Sequence, residues 1–355
     1  MKKIISLILS LCLLLCLAAC GGEVVPDATQ PTETAPVTDA TQETAETTEA
    51  TTEAAKAPEV LPNFMVMSGP TGVGAAKMIT DWQNGQCDAV ASVEIVTDNE
   101  AVKNALISGS ADIAAVATNL AATLANKTGG GLQVLAVNTL GVLYILERGN
   151  SVQSMADLAG KTLYATGQGA NPEYILNYLL TSNGVDPSEV DIQWMTAQEV
   201  IAKMATEEAG ICMLPVPAAT TLLMKYDDIR EAVSLSQVWD GLDNGALAQG
   251  CIVARTEYVE QNPEAVAAFL EAYAQSLNFM MDSANLEEAA QLVAQHEITA
   301  NAKIAQLAIP SCNLTFVTGS QMKDILVRFY EVMYQANPAS IGGAMPSDAF
   351  YYGAE

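Results

Sequence analysis

From residue 61 onward the chain alternates short apolar runs, Gly-bearing loops and amphipathic stretches. Residues 64–67 (FMVM) have the pattern of a buried strand, followed by the Gly-rich loop 68–74 (SGPTGVG) and a helix running to about Trp82. Residues 93–97 form a second strand candidate, 100–108 a helix and 113–116 (IAAV) a third strand, after which Thr118 and Asn119 open another helix. Apolar strands follow at 132–137 and 142–146. Strand and helix periods alternating in this way predict a mostly parallel sheet covered by helices on both faces.

A second set of elements begins near Ser151. Ser154 suits the N-cap of a short helix that Gly160 closes, ahead of a strand at 162–165. The loop Thr166-Gly167-Gln168-Gly169-Ala170 leads to Asn171 as N-cap, Pro172 at the first helical position and Glu173 in the first turn. Ile175, Leu176, Leu179 and Leu180 recur at helical spacing, and Asn183-Gly184 ends that helix. A strand at 211–214 runs into Pro215-Val216-Pro217, and segment 245–255 contains a return crossing. Asn262-Pro263-Glu264 starts a long helix with Val266, Phe269, Leu270, Tyr273 and Leu277 inward; helical segments continue to the end, interrupted around 309–317. Two similar βα lobes with crossings near 143–150 and 245–252 are expected. In each, a Gly-rich loop opens a helix where strands end, the place at which α/β sheets bind ligands. Facing rims of this kind form a cleft that closes on a small molecule through exposed main-chain N–H groups. The other reading of either loop is an ordinary tight βα turn.

Residues 1–60 do not follow this grammar. Lys2 and Lys3 precede an apolar run from 4 to 17 that is shorter than the ~20 residues of a spanning helix. Residues 21–60 are rich in Thr, Ala, Glu and Pro, contain no aromatic residue, and carry nine acids against one lysine. Such a segment buries too little apolar surface to order itself and repels itself into an extended acidic tether. The 355 residues contain 15 Lys+Arg and 41 Asp+Glu, a formal charge of -26. That balance argues against nucleic acid as a partner, because no basic surplus exists to displace phosphate counterions.

Chemistry-bearing motifs are sparse. Neither Gly loop fits a dinucleotide fingerprint, and no Gly-x4-Gly-Lys-Ser/Thr or Gly-x-Ser-x-Gly occurs. The one histidine, His296, rules out centres built on two imidazoles and falls at a predicted helix end as a solvated or capping residue. Cys87, Cys212, Cys251 and Cys312 show no C-x-x-C spacing and read as mostly free thiols, and no metal or cofactor is called for. Trp82, Trp194 and Trp239 read as packing residues before ligand-stacking ones, and Trp239, in a predicted loop of the second lobe, is the one to test for stacking. None of the four arginines (Arg148, Arg230, Arg255, Arg328) lies in a Gly loop, which points to a modest anion, a zwitterion or a neutral heterocycle.

Several of these segments carry a family resemblance. Leu17-Ala18-Ala19-Cys20-Gly21 resembles the bacterial lipoprotein box, with Cys20 lipidated. Added to it are the Ser-Gly-Pro-Thr-Gly loop, Gly109-Ser110-Ala111-Asp112-Ile113-Ala114 leading to Thr118-Asn119, residues 155–162 (MADLAGKT) and residues 262–266 (NPEAV). Together they resemble a substrate-binding lipoprotein of an ABC importer, of the nitrate/sulfonate/taurine and thiamine-precursor (NMT1/THI5-like) group. The resemblance implies a two-lobed α/β periplasmic-binding-protein type II fold with a central cleft and hinge. Residues 1–20 would be the signal and lipobox, 21–60 the tether, 61–146 with 250–355 the first lobe, and 147–249 the second. It implies a small-molecule solute, an ABC permease with its ATPase subunit as partners, and a lipid anchor on the extracytoplasmic side. The ligand contacts it implies are Ser68, Gly69, Thr71, Gly72, Thr118, Asn119 and Thr139 in the first lobe. In the second they are Gly167, Gln168, Gly169, Asn171, Pro215 and Pro217, with Gln249 at the crossing. The arginine that clamps sulfonates in some relatives has no counterpart in these loops. A same-fold enzyme, pyrimidine-synthase-like or of the menaquinone pathway, and a ligand-sensing lipoprotein are the alternative readings.

Overall fold

The computed structural model describes residues 60–354, so the leader, Cys20 and the tether up to residue 59 lie outside the described residues. The first half of the described chain runs β1 (Asn63–Met67), α1 (Pro70–Gln83), β2 (Ser92–Val96), α2 (Asn99–Ser108), β3 (Ile113–Ala117), α3 (Thr118–Lys127) and β4 (Leu132–Thr139). The chain then crosses into β5 (Leu143–Arg148), β6 (Thr162–Ala165), α4 (Asn171–Ser182), β7 (Asp191–Trp194), α5 (Ala197–Thr206), β8 (Gly210–Pro215), α6 (Ala218–Lys225), β9 (Ile229–Ser234) and α7 (Leu235–Asp240). It returns through β10 (Gly250–Arg255), α8 (Thr256–Gln261), α9 (Pro263–Met281), α10 (Leu286–Gln295), α11 (Ala302–Ala308), β11 (Leu314–Val317) and α12 (Gly319–Ala336).

These strands build two sheets, ordered β11-β4-β10-β3-β1-β2 and β7-β6-β8-β5-β9. The expectation of a mostly parallel sheet is corrected: β1 pairs in parallel with β2 and β3, and β6 with β7 and β8, but the other pairings are antiparallel. The cause is the double crossing. β10 re-enters the first sheet from the second lobe and wedges between β3 and β4 against their direction. Residues 143–146, read from sequence with the first lobe, belong to β5, which is hydrogen-bonded to β8 and β9 in the second sheet.

Burial follows sheet position. β3 and β10 are covered on both faces and read as unbroken apolar runs, whereas edge strand β2 exposes Glu94 between Val93 and Ile95. The long helix predicted after Asn262 is α9, whose Phe269 and Tyr273 stack at 5.9 Å and meet Phe64 of β1 edge-on at 4.9 and 6.0 Å. Each such ring buried contributes about 1.5–3 kcal/mol, so α9 is clamped onto the first sheet. The Asn262 side chain does not cap α9; its carbonyl accepts from the Val60 amide at 3.0 Å.

Trp239 sits in a helix and not in a loop, and it packs, as the sequence reading of the tryptophans has it. It lies in α7, fully buried between Tyr178 and Phe329, with Nε1 donating to the Gly245 carbonyl at 2.9 Å. His296 is the C-cap of α10, half-buried, with Nε2 2.7 Å from Thr80 Oγ1. Burial pushes its pKa down, partly countered by a hydrogen bond at Ala76. Among the described residues the four cysteines are free, and no helix is long and apolar enough to cross a membrane.

Candidate functional site

The strands of the first lobe end in polar residues that the fold buries. β3 hands over at Ala117 to Thr118, whose amide donates to the Gln249 carbonyl at 3.2 Å and whose hydroxyl donates to the Ala248 carbonyl at 2.7 Å. β4 ends in Asn138 and Thr139, and the Thr139 carbonyl accepts from the Gln249 amide at 3.0 Å. The Gln249 side-chain oxygen in turn accepts from the Val142 amide at 2.6 Å. Segment 248–250 is thus tied to both strand ends just before β10 begins. Position 250 admits only glycine: a Cβ there would lie 2.7 Å from Asn138 Oδ1 and 2.9 Å from both Thr139 Cβ and Thr71 Cγ2.

The second lobe reaches this segment through α4. Asn171 was expected to cap that helix, but Ala170 is the N-cap and Asn171 is the first helical residue. Its side chain is used across the lobes instead. Asn171 Nδ2 donates to Thr118 Oγ1 at 2.9 Å and to the Gln249 carbonyl at 3.0 Å, in a buried setting.

Of the residues predicted from sequence, Thr71, Thr118, Asn119, Thr139, Asn171 and Gln249 are buried polar groups; Gln249 lies in segment 248–250, Thr118, Thr139 and Asn171 are hydrogen-bonded to it, and Thr71 packs beside Gly250. The main-chain donors of the Gly loops are less free than the sequence reading supposes. The Ser68 amide donates to the Val96 carbonyl at 2.7 Å, and the Gly169 amide to Glu173 Oε2 at 2.6 Å. Helix α1 begins at Pro70, so Thr71 and Gly72 lie in its first turn, with Gly69 as N-cap. The Thr71 hydroxyl donates to the Met67 carbonyl at 2.7 Å. Gly167 has φ +94° and packs under Pro172, while Gln168 is exposed. Pro215 closes β8 opposite Leu143, and Pro217 is the N-cap of α6. Between them, Val216 is buried in a cluster shared with α10 and α11.

Sequence reasoning missed Asn138, which is fully buried with Nδ2 donating to the Tyr273 hydroxyl at 2.8 Å. The signal was present: a polar pair, Asn138-Thr139, closes an otherwise apolar strand. Three oxygens around segment 248–250 are buried without a partner, namely Asn138 Oδ1, Thr139 Oγ1 and Asn171 Oδ1, and so is Asn119 Oδ1 next to Thr118. Groups left in this way cost about 1–3 kcal/mol each, and native cores avoid them. The starts of α1, α3 and α4 carry no side-chain cap, as is also true of α6, α8, α9, α10 and α12, whereas Asp98, Thr196, Ser234 and Asn301 cap α2, α5, α7 and α11. Few first-turn amides are open even so: Pro70 and Pro172 have none, the Thr118 amide is given to Gln249, and those of Glu173 and Tyr174 to the Ala170 carbonyl.

Among the described residues each of the four arginines is held in an ion pair. Arg148 pairs with Asp228 at 2.8 Å, Arg230 with Glu147 at 2.6 Å, Arg255 with Asp112 at 3.2 Å and Arg328 with Asp243 at 3.6 Å. Among the described residues no group of three His, Cys, Asp or Glu is arranged to hold a metal ion. A cavity of about 480 Å³ lies elsewhere, between α4 and α12, and includes Tyr174, Tyr178 and Asn244. None of the four orphaned oxygens lines it. The chemistry therefore directs attention to segment 248–250 rather than to that cavity.

Two α/β lobes joined by double crossing strands, with a buried polar seam where their helices begin, define a type II periplasmic-binding-protein fold. The chain belongs to the NMT1/THI5-like family, whose model matches residues 88–285, more than half its length. Among solved structures it is similar to an ABC transporter from Parabacteroides distasonis (TM-score 0.68, 22% identity, 82% of this chain and 99% of that one). It is also similar to the alkanesulfonate-binding protein SsuA from Xanthomonas axonopodis pv. citri bound to MOPS (TM-score 0.63, 13% identity, 82% and 96%). The periplasmic nitrate-binding protein NrtA from Synechocystis PCC 6803 is a further likeness (TM-score 0.53, 16% identity, 71% and 70%). No curated protein sequence matches the chain.

Proposed function

We propose that this protein is the extracytoplasmic solute-binding component of an ABC importer. It captures a small molecule between its lobes and delivers it to a membrane permease driven by an ATPase subunit. The observation that carries this reading is the buried, partly unpartnered polar cluster at segment 248–250, to which Asn171 of α4 is bonded from the other lobe. A site of this kind gives a solute hydrogen-bonding groups on both sides and releases it when the lobes part. Among the described residues no group of three His, Cys, Asp or Glu is arranged to hold a metal ion, and binding without bond-making is the role we assign.

The fourteen residues carried over from the family resemblance are proposed as the cleft lining, with Thr71, Thr118, Asn119, Thr139, Asn171 and Gln249 nearest its floor. Cys20 is proposed as the lipidated anchor and 21–60 as the acidic tether that holds the lobes off the membrane. Native mass spectrometry of the protein purified from its own host tests the reading. A non-covalent small molecule that leaves on mild activation is expected, together with compaction in small-angle scattering when it is restored. A protein that carries nothing and is not stabilised by any member of a broad metabolite panel would refute it.

A further inference from the structure

Helix α4 carries two stripes. Ile175, Leu176, Leu179 and Leu180 are fully buried, whereas Tyr174, Asn177, Tyr178 and Thr181, spaced by helical turns, form one wall of the cavity of about 480 Å³ beside α12. The facing wall is the end of α12, where Gln335 lines the space. That helix belongs to the first lobe, since the Tyr330 hydroxyl donates to the Thr118 carbonyl at 2.9 Å. Asn244 is the buried polar residue of the lining, with Oδ1 and Nδ2 lying 3.1 and 3.0 Å from the Tyr178 hydroxyl. Its surroundings are fixed. The Trp239 indole donates to the Gly245 carbonyl at 2.9 Å and Arg328 donates to the Asp243 carbonyl, while the Tyr178 ring packs on Trp239 at 5.4 Å.

The described residues that line this cavity are all uncharged, in a chain with 41 Asp+Glu and 15 Lys+Arg. An ion would lose water there and gain no counter-charge. A wholly apolar compound would strip water from Asn177, Asn244 and Gln335 without replacing its hydrogen bonds. A flat base, polar along one edge, would meet amides on one wall and leave those on the other bare. What matches two tyrosine rings set among amides on both walls is a compound with apolar C–H faces and a rim of hydroxyls, because each hydroxyl, like each amide, donates and accepts. The volume falls within the ~300–1,000 Å³ of small-molecule sites. We propose that the α4–α12 cavity is a second small-molecule site, separate from the seam at segment 248–250, and that it takes a neutral mono- or disaccharide. Tyr174 and Tyr178 pack against the sugar ring, and Asn177, Asn244 and Gln335 bind its hydroxyls.

Calorimetric titration of the full chain tests the site, with glucose, galactose, N-acetylglucosamine and maltose as probes and glucuronate, glucosamine and adenine as counter-probes. Saturable binding of at least one neutral sugar, and of none of the counter-probes, is expected. Two variants then locate it. Asn177 is half-buried on α4 and Gln335 exposed on α12, so Asn177→Ala and Gln335→Ala should leave the unliganded melting midpoint level. Each is expected to weaken sugar binding about tenfold, the effect of one hydrogen bond. Absence of saturable binding by all four neutral sugars overturns the inference, as does preferential binding of a counter-probe. Sugar binding of unchanged affinity in both variants would lie elsewhere on the molecule and would overturn it too. Any of these results leaves the solute-binding role of the seam intact.

Discussion

Replacing Asn171 with alanine removes the two hydrogen bonds that its amide makes across the lobes, to Thr118 Oγ1 and to the Gln249 carbonyl. The partners are not stranded, since Thr118 still donates to Ala248 and the Gln249 carbonyl still accepts from the Thr118 amide. Two neutral hydrogen bonds are worth about 2 kcal/mol together, and losing the orphaned Oδ1 returns up to about 1 kcal/mol of that. The net loss of about 1–2 kcal/mol falls on the apposed state alone, so its population relative to a parted state should drop roughly five- to thirtyfold. Small-angle scattering of the unliganded protein reads this directly. The variant should have a larger radius of gyration and an unchanged far-UV circular dichroism spectrum. If its scattering curve overlays that of the wild type while its melting midpoint is also unmoved, Asn171 does not hold the lobes together.

Three further outcomes follow from single residues. Gly167→Ala should destabilise the second lobe by about 1–3 kcal/mol in urea unfolding, because a Cβ at φ +94° would lie 2.5 Å from Pro172 Cγ; equal midpoints would refute the close packing. Burial alone would raise the Glu147 pKa, but hydrogen bonds from Ser151 and Val152 and the Arg230 guanidinium outweigh it and hold the carboxyl below its ordinary range. Its stabilisation is therefore complete above about pH 4.5 and lost as pH falls through the lower folded value, so Glu147→Gln should flatten that part of the acid-unfolding curve; an unchanged slope would contradict the pairing. Burial pushes the Cys212 and Cys312 thiols up to about 12 and Cys251 higher still, whereas Cys87 is half-buried. Iodoacetamide at pH 8 with peptide mapping should modify Cys87 alone among these four until the protein is unfolded, and early labelling of Cys251 would refute the packing of β10.

Elements with a strong local period were legible from the sequence: β1, β3, β4, α4, β10 and α9 appear where apolar runs and Pro-containing helix starts placed them. Strand direction was not legible, because nothing local in GCIVAR says that β10 returns from another lobe and inserts antiparallel. The boundary between the lobes slipped for the same reason. Val142 to Leu146 is apolar whichever sheet it joins, and only pairing with β8 and β9 assigns β5. At the site, residue types were legible but roles were not. Asn171 looked like a cap because Asn-Pro-Glu is a good helix start, yet its amide has stronger use across the seam. Trp239 was read into a loop because α7 is only six residues long, too short for its period to show. Asn138 was invisible until Tyr273, 135 positions away, was seen to hold its nitrogen.

The distribution of unpartnered atoms argues for function more strongly than any one residue does. Native interiors pair nearly all their polar groups, and this one does so at Glu147, Ser276 and Tyr330. The buried side-chain atoms left open gather where the lobes meet, at Asn119, Asn138, Thr139, Asn171 and also Ser236, with Tyr351 the exception elsewhere. Packing alone would favour Val, Leu or Ala at these positions, since an apolar side chain of similar shape avoids the desolvation cost. Their retention makes sense if something that enters the seam completes the bonds. Stability and affinity should then be opposed at these sites: substitutions that raise the melting midpoint of the empty protein should be those that weaken its hold on solute.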